Sequence, residues 1–230
     1  MIGLRVATWN VHGCLGTDGL FAPDRIAGVL HRVQADVVAL QEVYDSRQGT
    51  RDFDGFAFFE RHCGPHAVAA VTIRGNPHRY GHMVCSRWPV AWAVQHDISV
   101  AGREPRMLID MAVRHPDGQL RVLATHFGLR LRERRLQSAQ LQHLLLRDLE
   151  TPTVVLGDFN ETRRRGGVFR GLAAQFASPS APATFPARRP LFALDRIWCR
   201  PRHLIRELGI WPEDRHASDH LPVVADLRLP

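Results

Sequence analysis

The sequence predicts one α/β domain, built as two packed β-sheets flanked by helices. Three observations carry that expectation. Short β-rich runs outnumber helical ones, and several are joined by tight turns, as in antiparallel sheets. Only a few amphipathic helical stretches interrupt them. No Pro/Ser-rich break with a core on each side, no internal repeat and no low-complexity tract divides the 230 residues, so a single domain over 1–230 is expected. A chain of this length buries roughly 70–75% of its unfolded surface and needs no disulfide to fold.

The elements follow in order. Alternation in Leu4–Asn10 marks a strand, and His12-Gly13-Cys14 opens a loop. Pro23 begins a helix to about Gln34, with Ile26, Val29, Leu30 and Val33 on one face. Val37–Leu40 reads as a buried strand ending at Gln41-Glu42, and a polar loop follows to about residue 55. Residues 67–74 and 82–86 read as paired strands around a Gly-Asn-Pro turn, followed by strands at Val90–Val100 and Met107–Val113. His115-Pro116-Asp117-Gly118 is a tight hairpin turn into Leu120–Thr125. Leu131–Leu149 is an amphipathic helix with Leu141, Leu144 and Leu145 inward, ending before Pro152. Residues 153–157 form a buried strand, 175–190 a loop rich in Ala, Pro and Ser, and Leu194–Cys199 and Val223–Leu229 the last strands.

The formal charge is +7, and all its side-chain cations apart from histidine are arginine, because the chain contains no lysine. A GC-rich genome would be the ordinary explanation of the arginine bias. The positive field still favours anionic partners such as nucleic acid, phospholipid or phosphorylated small molecules, without choosing among them. Cys14, Cys63, Cys85 and Cys199 form no Cys-x-x-Cys pair, which argues against a zinc knot and for reduced thiols. No apolar run approaches the length of a membrane span. Leu4–Asn10 already reads as a core strand and leaves no room for a signal peptide, so a cytoplasmic protein is expected.

Chemistry concentrates where predicted strands end. Val154-Val155-Leu156-Gly157-Asp158-Phe159-Asn160-Glu161 runs from an apolar strand into a carboxylate and a carboxamide. Strand alternation would turn Asp158 and Asn160 to one side and Phe159 back into protein, although an Asx-rich turn after a strand is common. Asn10 ends the first strand, Glu42 follows the second, His126 follows Val122-Leu123-Ala124-Thr125, Asp195 opens another, and Asp219-His220 precede the last. Singly, each has an ordinary explanation: a strand-end cap, an exposed loop acid, a histidine bonded to backbone, a partner for a nearby arginine. Jointly they could converge at one end of the sheets. Two carboxylates about 4 Å apart repel by roughly 4 kcal/mol at an effective dielectric near 20. Glu42, Asp158, Asp195 and Asp219 would therefore call for a cation, and a thiolate-free set suits Mg²⁺ or Mn²⁺ better than zinc. A carboxylate from Asp195 on one imidazole nitrogen would fix the tautomer of His220 and raise its basicity.

The order of these motifs resembles the endonuclease/exonuclease/phosphatase superfamily of deoxyribonuclease-like, metal-dependent phosphoesterases. The resemblance rests on Thr8-Trp9-Asn10-Val11-His12-Gly13, Gln41-Glu42-Val43, Thr125-His126-Phe127, Gly157-Asp158-Phe159-Asn160, Leu194-Asp195-Arg196-Ile197 and Ser218-Asp219-His220-Leu221-Pro222. It implies a four-layer α/β sandwich with two packed mixed β-sheets flanked by helices. It also implies a metal site at Asn10, Glu42 and Asp219, with Glu42 the chief ligand of Mg²⁺ (or Mn²⁺). Asp158 would orient or deprotonate the attacking water, and Asn160 would donate to the phosphorane oxygens. His220, held by Asp195, would contact phosphate and carry a proton, and His126 would contact the phosphate or leaving group. Gly81-His82-Met83-Val84-Cys85-Ser86-Arg87 resembles a structural strand of the same family.

The sequence departs from the DNA-repair branch: Val43-Tyr44 stand where a lysine usually follows the glutamate, and Asn-Val-His-Gly replaces Asn-Val-Asn-Gly. Thr125-His126-Phe127-Gly128-Leu129 with Arg132-Glu133-Arg134-Arg135 is more similar to the compact bacterial branch, which spans nucleases and phospholipid or sphingolipid phosphodiesterases. The expected activity is phosphodiester hydrolysis by in-line attack of a metal-activated water, in a monomer acting on an anionic substrate. Nucleic acid, DNA or RNA, is favoured by the charge and by Arg163-Arg164-Arg165-Gly166-Gly167. A phospholipid-type diester is the alternative, for which Leu20-Phe21, Trp88 or Trp92 could supply an exposed apolar surface. An inactive binding module would be expected to have lost part of the acid, amide and histidine set.

Overall fold

The computed structural model describes residues 3–45, 53–75, 78–163, 167–176 and 182–229. The elements run β1 (Leu4–Asn10), α1 (Pro23–Val33), β2 (Val37–Tyr44), α2 (Gly55–Cys63), β3 (His66–Arg74), β4 (Arg79–Ser86), β5 (Val90–Asp97), β6 (Met107–His115), β7 (Gly118–His126) and α3 (Leu131–Leu145). They continue with β8 (Thr153–Asp158), α4 (Arg170–Gln175), β9 (Asp195–Arg200), β10 (Ile205–Ile210) and β11 (Val223–Leu227). One sheet has the order β10-β11-β1-β2-β4-β3 and the other β5-β6-β7-β8-β9. Both are mixed: β1/β2 and β7/β8 are parallel, and the remaining pairs are antiparallel.

Strand alternation builds the layers. Leu4, Val6, Val37, Ala39, Val122, Ala124, Val154, Leu156 and Ile197 fill the space between the sheets. The opposite faces meet helices. Ala7, Trp9, Val38 and Leu40 pack with Ile26, Val29 and Val33 of α1 and Phe56 and Phe59 of α2. Leu123, Val155 and Trp198 pack with Leu141, Leu144 and Leu145 of α3 and Leu172 of α4. The result is the expected α/β sandwich of helices, sheet, sheet and helices.

Several boundaries move. β2 continues to Tyr44, so Glu42 lies within a strand rather than after it. The segment expected to remain loop to about residue 55 is outside the described residues at 46–52, and α2 then begins at Gly55, capped by Asp54 on the Ala57 amide. β5 stops at Asp97 and α3 at Leu145, both short of their expected ends. β10, an edge strand, and the six-residue α4 were not anticipated. Asn76 and Pro77 of the expected Gly-Asn-Pro turn lie outside the described residues.

Candidate active site

Register does much of the assembly. His126 of β7 pairs with Asp158 of β8, and Asp158 pairs with Asp195 of β9, so three adjacent strands place these residues side by side. All three continue the inward rows of Val122-Ala124, Val154-Leu156 and Ile197-Cys199, and so face the opposite sheet at its open end. From that sheet, β1 delivers Asn10, whose cross-strand neighbour is Gln41.

Glu42 reaches the same place by a distortion. Strict alternation would send it outward with Leu40, toward the helices. Instead the register shifts between Leu40 and Val43, and Glu42 adopts φ 57°. A β-bulge adds one residue to a strand and re-aims a side chain. Here it turns Gln41 and Glu42 inward in succession before Val43 resumes the helix-facing row.

The focal atom is Oδ2 of Asp158. It accepts from Asn10 Nδ2 at 3.1 Å, and His126 Nε2 and His220 Nε2 approach it at 3.6 and 3.9 Å. Asn10 Nδ2 also donates to Glu42 Oε1 at 3.0 Å, so one amide joins two carboxylates. His220 Nδ1 lies 2.7 Å from Asp195 Oδ2, which also accepts from Thr184 Oγ1 at 2.6 Å. Trp9 Nε1 holds the His220 carbonyl, and Ser218 Oγ holds that of Asn10. Asp219, half-buried, lies 3.6 Å from His12 Nδ1, two residues beyond Asn10. The cluster thus joins Asn10, Glu42, His126, Asp158, Asp195 and His220, with Asp219 at its edge beside His12. Ligand atoms of Asp158, Asp195 and His220 fall within 4.8 Å of one another; His220 Nδ1 is hydrogen-bonded to Asp195, while its Nε2 stands 3.9 Å from Asp158 Oδ2.

Asn160 is placed by a turn, not by strand alternation. β8 ends at Asp158, and Asn160 takes φ 50°, a left-handed conformation that asparagine tolerates. Its backbone N–H donates to Asp158 Oδ1 at 2.9 Å, and its Nδ2 donates to the Phe127 carbonyl at 2.9 Å. Phe159 points into protein as expected, edge-on to Phe127 and Phe169.

Burial and the neighbouring charges together set the protonation states. Asp158 is pushed up to about 6, first by burial and then by the nearby Asp195. Burial works against charge on His220, but Asp195, then Asp158 and Asp219, outweigh it and push the ring up to about 10. His126 is held well below its ordinary value by burial, with Arg106 adding to the effect.

Three participants were not singled out in advance. Arg106 is one arginine among many, Thr184 sits in the loop read only by its Ala/Pro/Ser content, and Tyr80 precedes the strand motif at Gly81. No local pattern marks them; their places depend on the meeting of the two sheets. Of the basic run after Asn160, residues 164–166 lie outside the described residues, while Arg163 is exposed and donates its N–H to Glu161. Among the candidate apolar contacts, Leu20 and Trp92 are exposed, Phe21 packs on Phe53, and Trp88 packs on the inter-sheet core. Leu129 and Leu191, 71% and 73% exposed, stand with Phe192 on loops adjoining the site.

Two mixed sheets thus lie between helices, with an acid–amide–histidine cluster at their open end. A model of the Endonuclease/Exonuclease/phosphatase family matches residues 7–220, and the chain belongs to that family. It is 30% identical to YbhP of Escherichia coli K12 over 250 residues, covering 98% of this chain and 96% of YbhP. In structure it is similar to the endonuclease/exonuclease/phosphatase of Beutenbergia cavernae, with TM-score 0.79, 24% identity and coverage of 99% and 72% of the two chains. It is also similar to the Bacteroides thetaiotaomicron mannosyl-6-phosphatase Bt3783, with TM-score 0.74, 15% identity and coverage of 98% and 100%.

Proposed function

We propose that the protein is a divalent-metal-dependent phosphodiester hydrolase that attacks phosphorus in line with a water molecule. The observation that carries the reading is the continuous polar chain Glu42–Asn10–Asp158, with His220 set between Asp158 and Asp195. Asn10, Glu42 and Asp219 would hold the cation. Their fit rests on the donor set: oxygen ligands without thiolate, at a site where a bulge turns Glu42 inward beside Asn10. Mg²⁺ or Mn²⁺ bound there would supply Lewis-acid stabilisation to the phosphoryl oxygens.

The chain's own groups do the rest. Asp158, titrating at about 6, is an ionised base at neutral pH and a stronger one than an ordinary aspartate. It orients the water and accepts its proton. His220, charged because of Asp195, donates from Nε2 to the phosphate or the departing oxygen. His126 and Asn160 line the same phosphate-facing end; Nδ2 of Asn160 carries a second hydrogen beyond the one given to Phe127.

A net charge of +7 favours nucleic acid as the diester. A phospholipid-type diester is supported by a different observation, the exposed Leu129, Leu191 and Phe192 beside exposed Arg130, Arg188 and Arg189. Four free cysteines suit a reducing compartment such as the cytoplasm, and among the described residues no helix is long and apolar enough to cross a membrane. The test is a hydrolysis panel in Mg²⁺ or Mn²⁺ comparing single- and double-stranded DNA, RNA, lysophospholipid and a generic phosphodiester. Turnover of at least one diester, abolished by chelator, is expected. No turnover of any of these diesters, or turnover that persists in excess chelator, would overturn the reading.

A further inference from the structure

Three buried histidines share the open end of the sandwich, and they are wired differently. His220 is paired with a carboxylate. His82, on β4, is buried and titrates at about 4, because of burial and then of Arg106. His126 stands between a cation and an anion: Nδ1 lies 3.4 Å from Arg106 Nη1, and Nε2 lies 3.6 Å from Asp158 Oδ2. Arg106 is 5% exposed, and the same Nη1 also reaches Tyr80 Oη at 3.1 Å and Glu104 Oε1 at 2.6 Å.

We propose that Arg106 is a positioning residue that locks His126 in its neutral, Nε2-protonated tautomer, making it a fixed hydrogen-bond donor to the reacting phosphate rather than a base or an acid. This rests on the phosphoesterase reading for the identity of the acceptor, but the tautomer is argued from geometry alone. A guanidinium has five N–H donors and no acceptor. Nη1 has two hydrogens for three neighbours, Glu104, Tyr80 and His126, and no lone pair to offer, so a proton on Nδ1 would find no acceptor there inside a buried site. With Nδ1 unprotonated, the ring accepts from Arg106 on one side and offers Nε2–H on the other, where the Asp158 carboxylate lies. Both neighbours select the same tautomer. A second proton would place an imidazolium against the guanidinium, with His220 already charged beside it. Aspartate commonly fixes histidine by accepting from Nδ1, as Asp195 does for His220. Arg106 fixes His126 with the opposite polarity, which divides the labour. Proton transfer falls to Asp158 and His220, while His126 contributes a donor already in place when charge develops on phosphoryl oxygen.

The experiment has two parts. In ¹⁵N-histidine NMR of the full, metal-free protein, with the resonance assigned by its loss in His126→Gln, the wild-type ring is expected to show unprotonated Nδ1 and protonated Nε2 at neutral pH. A ring protonated at Nδ1, or at both nitrogens, overturns the proposal without any turnover assay. Arg106→Leu and the milder Arg106→Lys are then compared in the same spectra and in hydrolysis of bis(p-nitrophenyl) phosphate with Mg²⁺. Arg106→Leu should release the tautomer and lower kcat, KM changing little, toward the cost of His126→Ala, roughly 10²–10³-fold for one transition-state donor. Arg106→Lys, which restores a buried cationic donor, should recover part of both. The double variant Arg106→Leu/His126→Ala should be no slower than His126→Ala alone, because the two act as a unit. A double loss equal to the product of the single losses, or an unchanged tautomer in a folded Arg106 variant, overturns the assignment. The expected tautomer in a protein that hydrolyses no phosphoester would overturn the enzymatic reading instead.

Discussion

Replacing Asp195 with Asn keeps the side chain's shape and removes its charge. His220 lies 2.7 Å from this carboxylate and titrates at about 10 against an ordinary 6.5, although burial alone would lower it. That rise corresponds to about 5 kcal/mol in favour of imidazolium. Without Asp195, only Asp158 and Asp219 oppose burial, and the midpoint should fall by several units, to near 6.5 or below. An imidazole titrating at 6.5 is charged in only about a tenth of molecules at pH 7.5. Turnover should therefore drop about tenfold from protonation alone, and roughly 10²–10⁴-fold if His220 carries the proton. Metal affinity should change little, because Glu42 remains. The sign for stability follows from linkage: a raised folded pKa stabilises below 6.5, and that contribution is lost as pH rises through about 10. Asp195→Asn should thus be less stable than wild type near pH 6, with the gap closing above pH 10. His220 is titrated by NMR in metal-free protein, alongside kcat for the single and double variants. His220→Ala should cost about as much as Asp195→Asn, and the double variant little more. A His220 midpoint still near 10 in Asp195→Asn, or single losses that multiply, would refute the coupling and make Asp195 a structural acid or a metal ligand.

Glu42→Gln should lose Mg²⁺ binding and activity together while circular dichroism stays that of wild type; calorimetric titration with the metal reads the first, and a variant with full affinity contradicts the assignment. Gly157 has φ 147°, and a Cβ there would run into the Thr125 carbonyl of β7. Gly157→Ala should therefore lose roughly 1–3 kcal/mol or more in urea unfolding, and a wild-type midpoint would show that β8 relaxes freely. Arg121 bonds both oxygens of Asp110, at 2.8 and 2.6 Å, in the buried layer beneath α3. Arg121→Met leaves the buried carboxylate only His96 Nε2, 3.6 Å away, and should cost up to about 3–5 kcal/mol, while replacing both Arg121 and Asp110 by apolar residues should cost much less; thermal melts of the two variants check the order.

What could be read from the chain follows from how local each signal is. Leu4–Asn10, Pro23–Val33 and the strand before Asp158 carry their own periodicity, so they stand where expected. The ends of strands could be marked for the same reason, and with them the candidate acids, amides and histidines. Glu42 shows the limit: its identity was legible, but its inward aim depends on a bulge against β4 that alternation cannot express. Asn160 shows another, since its left-handed turn replaces the strand geometry that would have aligned it with Asp158. α2 was missed because Phe56, Phe58 and Phe59 follow a polar loop and give only two and a half turns. β10 is a half-exposed edge strand without a strong apolar row. Arg106 and Thr184 were invisible for a deeper reason. Each acquires its role from a partner on another strand, His126 on β7 and Asp195 on β9, and single residues in loops announce no such partner.

The role proposed for Asp158, at the junction of both sheets, is metal-dependent hydrolysis of a phosphodiester. Its most direct test is the initial rate of bis(p-nitrophenyl) phosphate hydrolysis by wild type and Asp158→Asn, each with Mg²⁺ and with excess chelator. Turnover is expected for wild type in metal and not in chelator, with Asp158→Asn in metal slower by roughly 10²–10⁴-fold although folded. Equal rates for the two proteins, or full activity of the wild type in chelator, would contradict it.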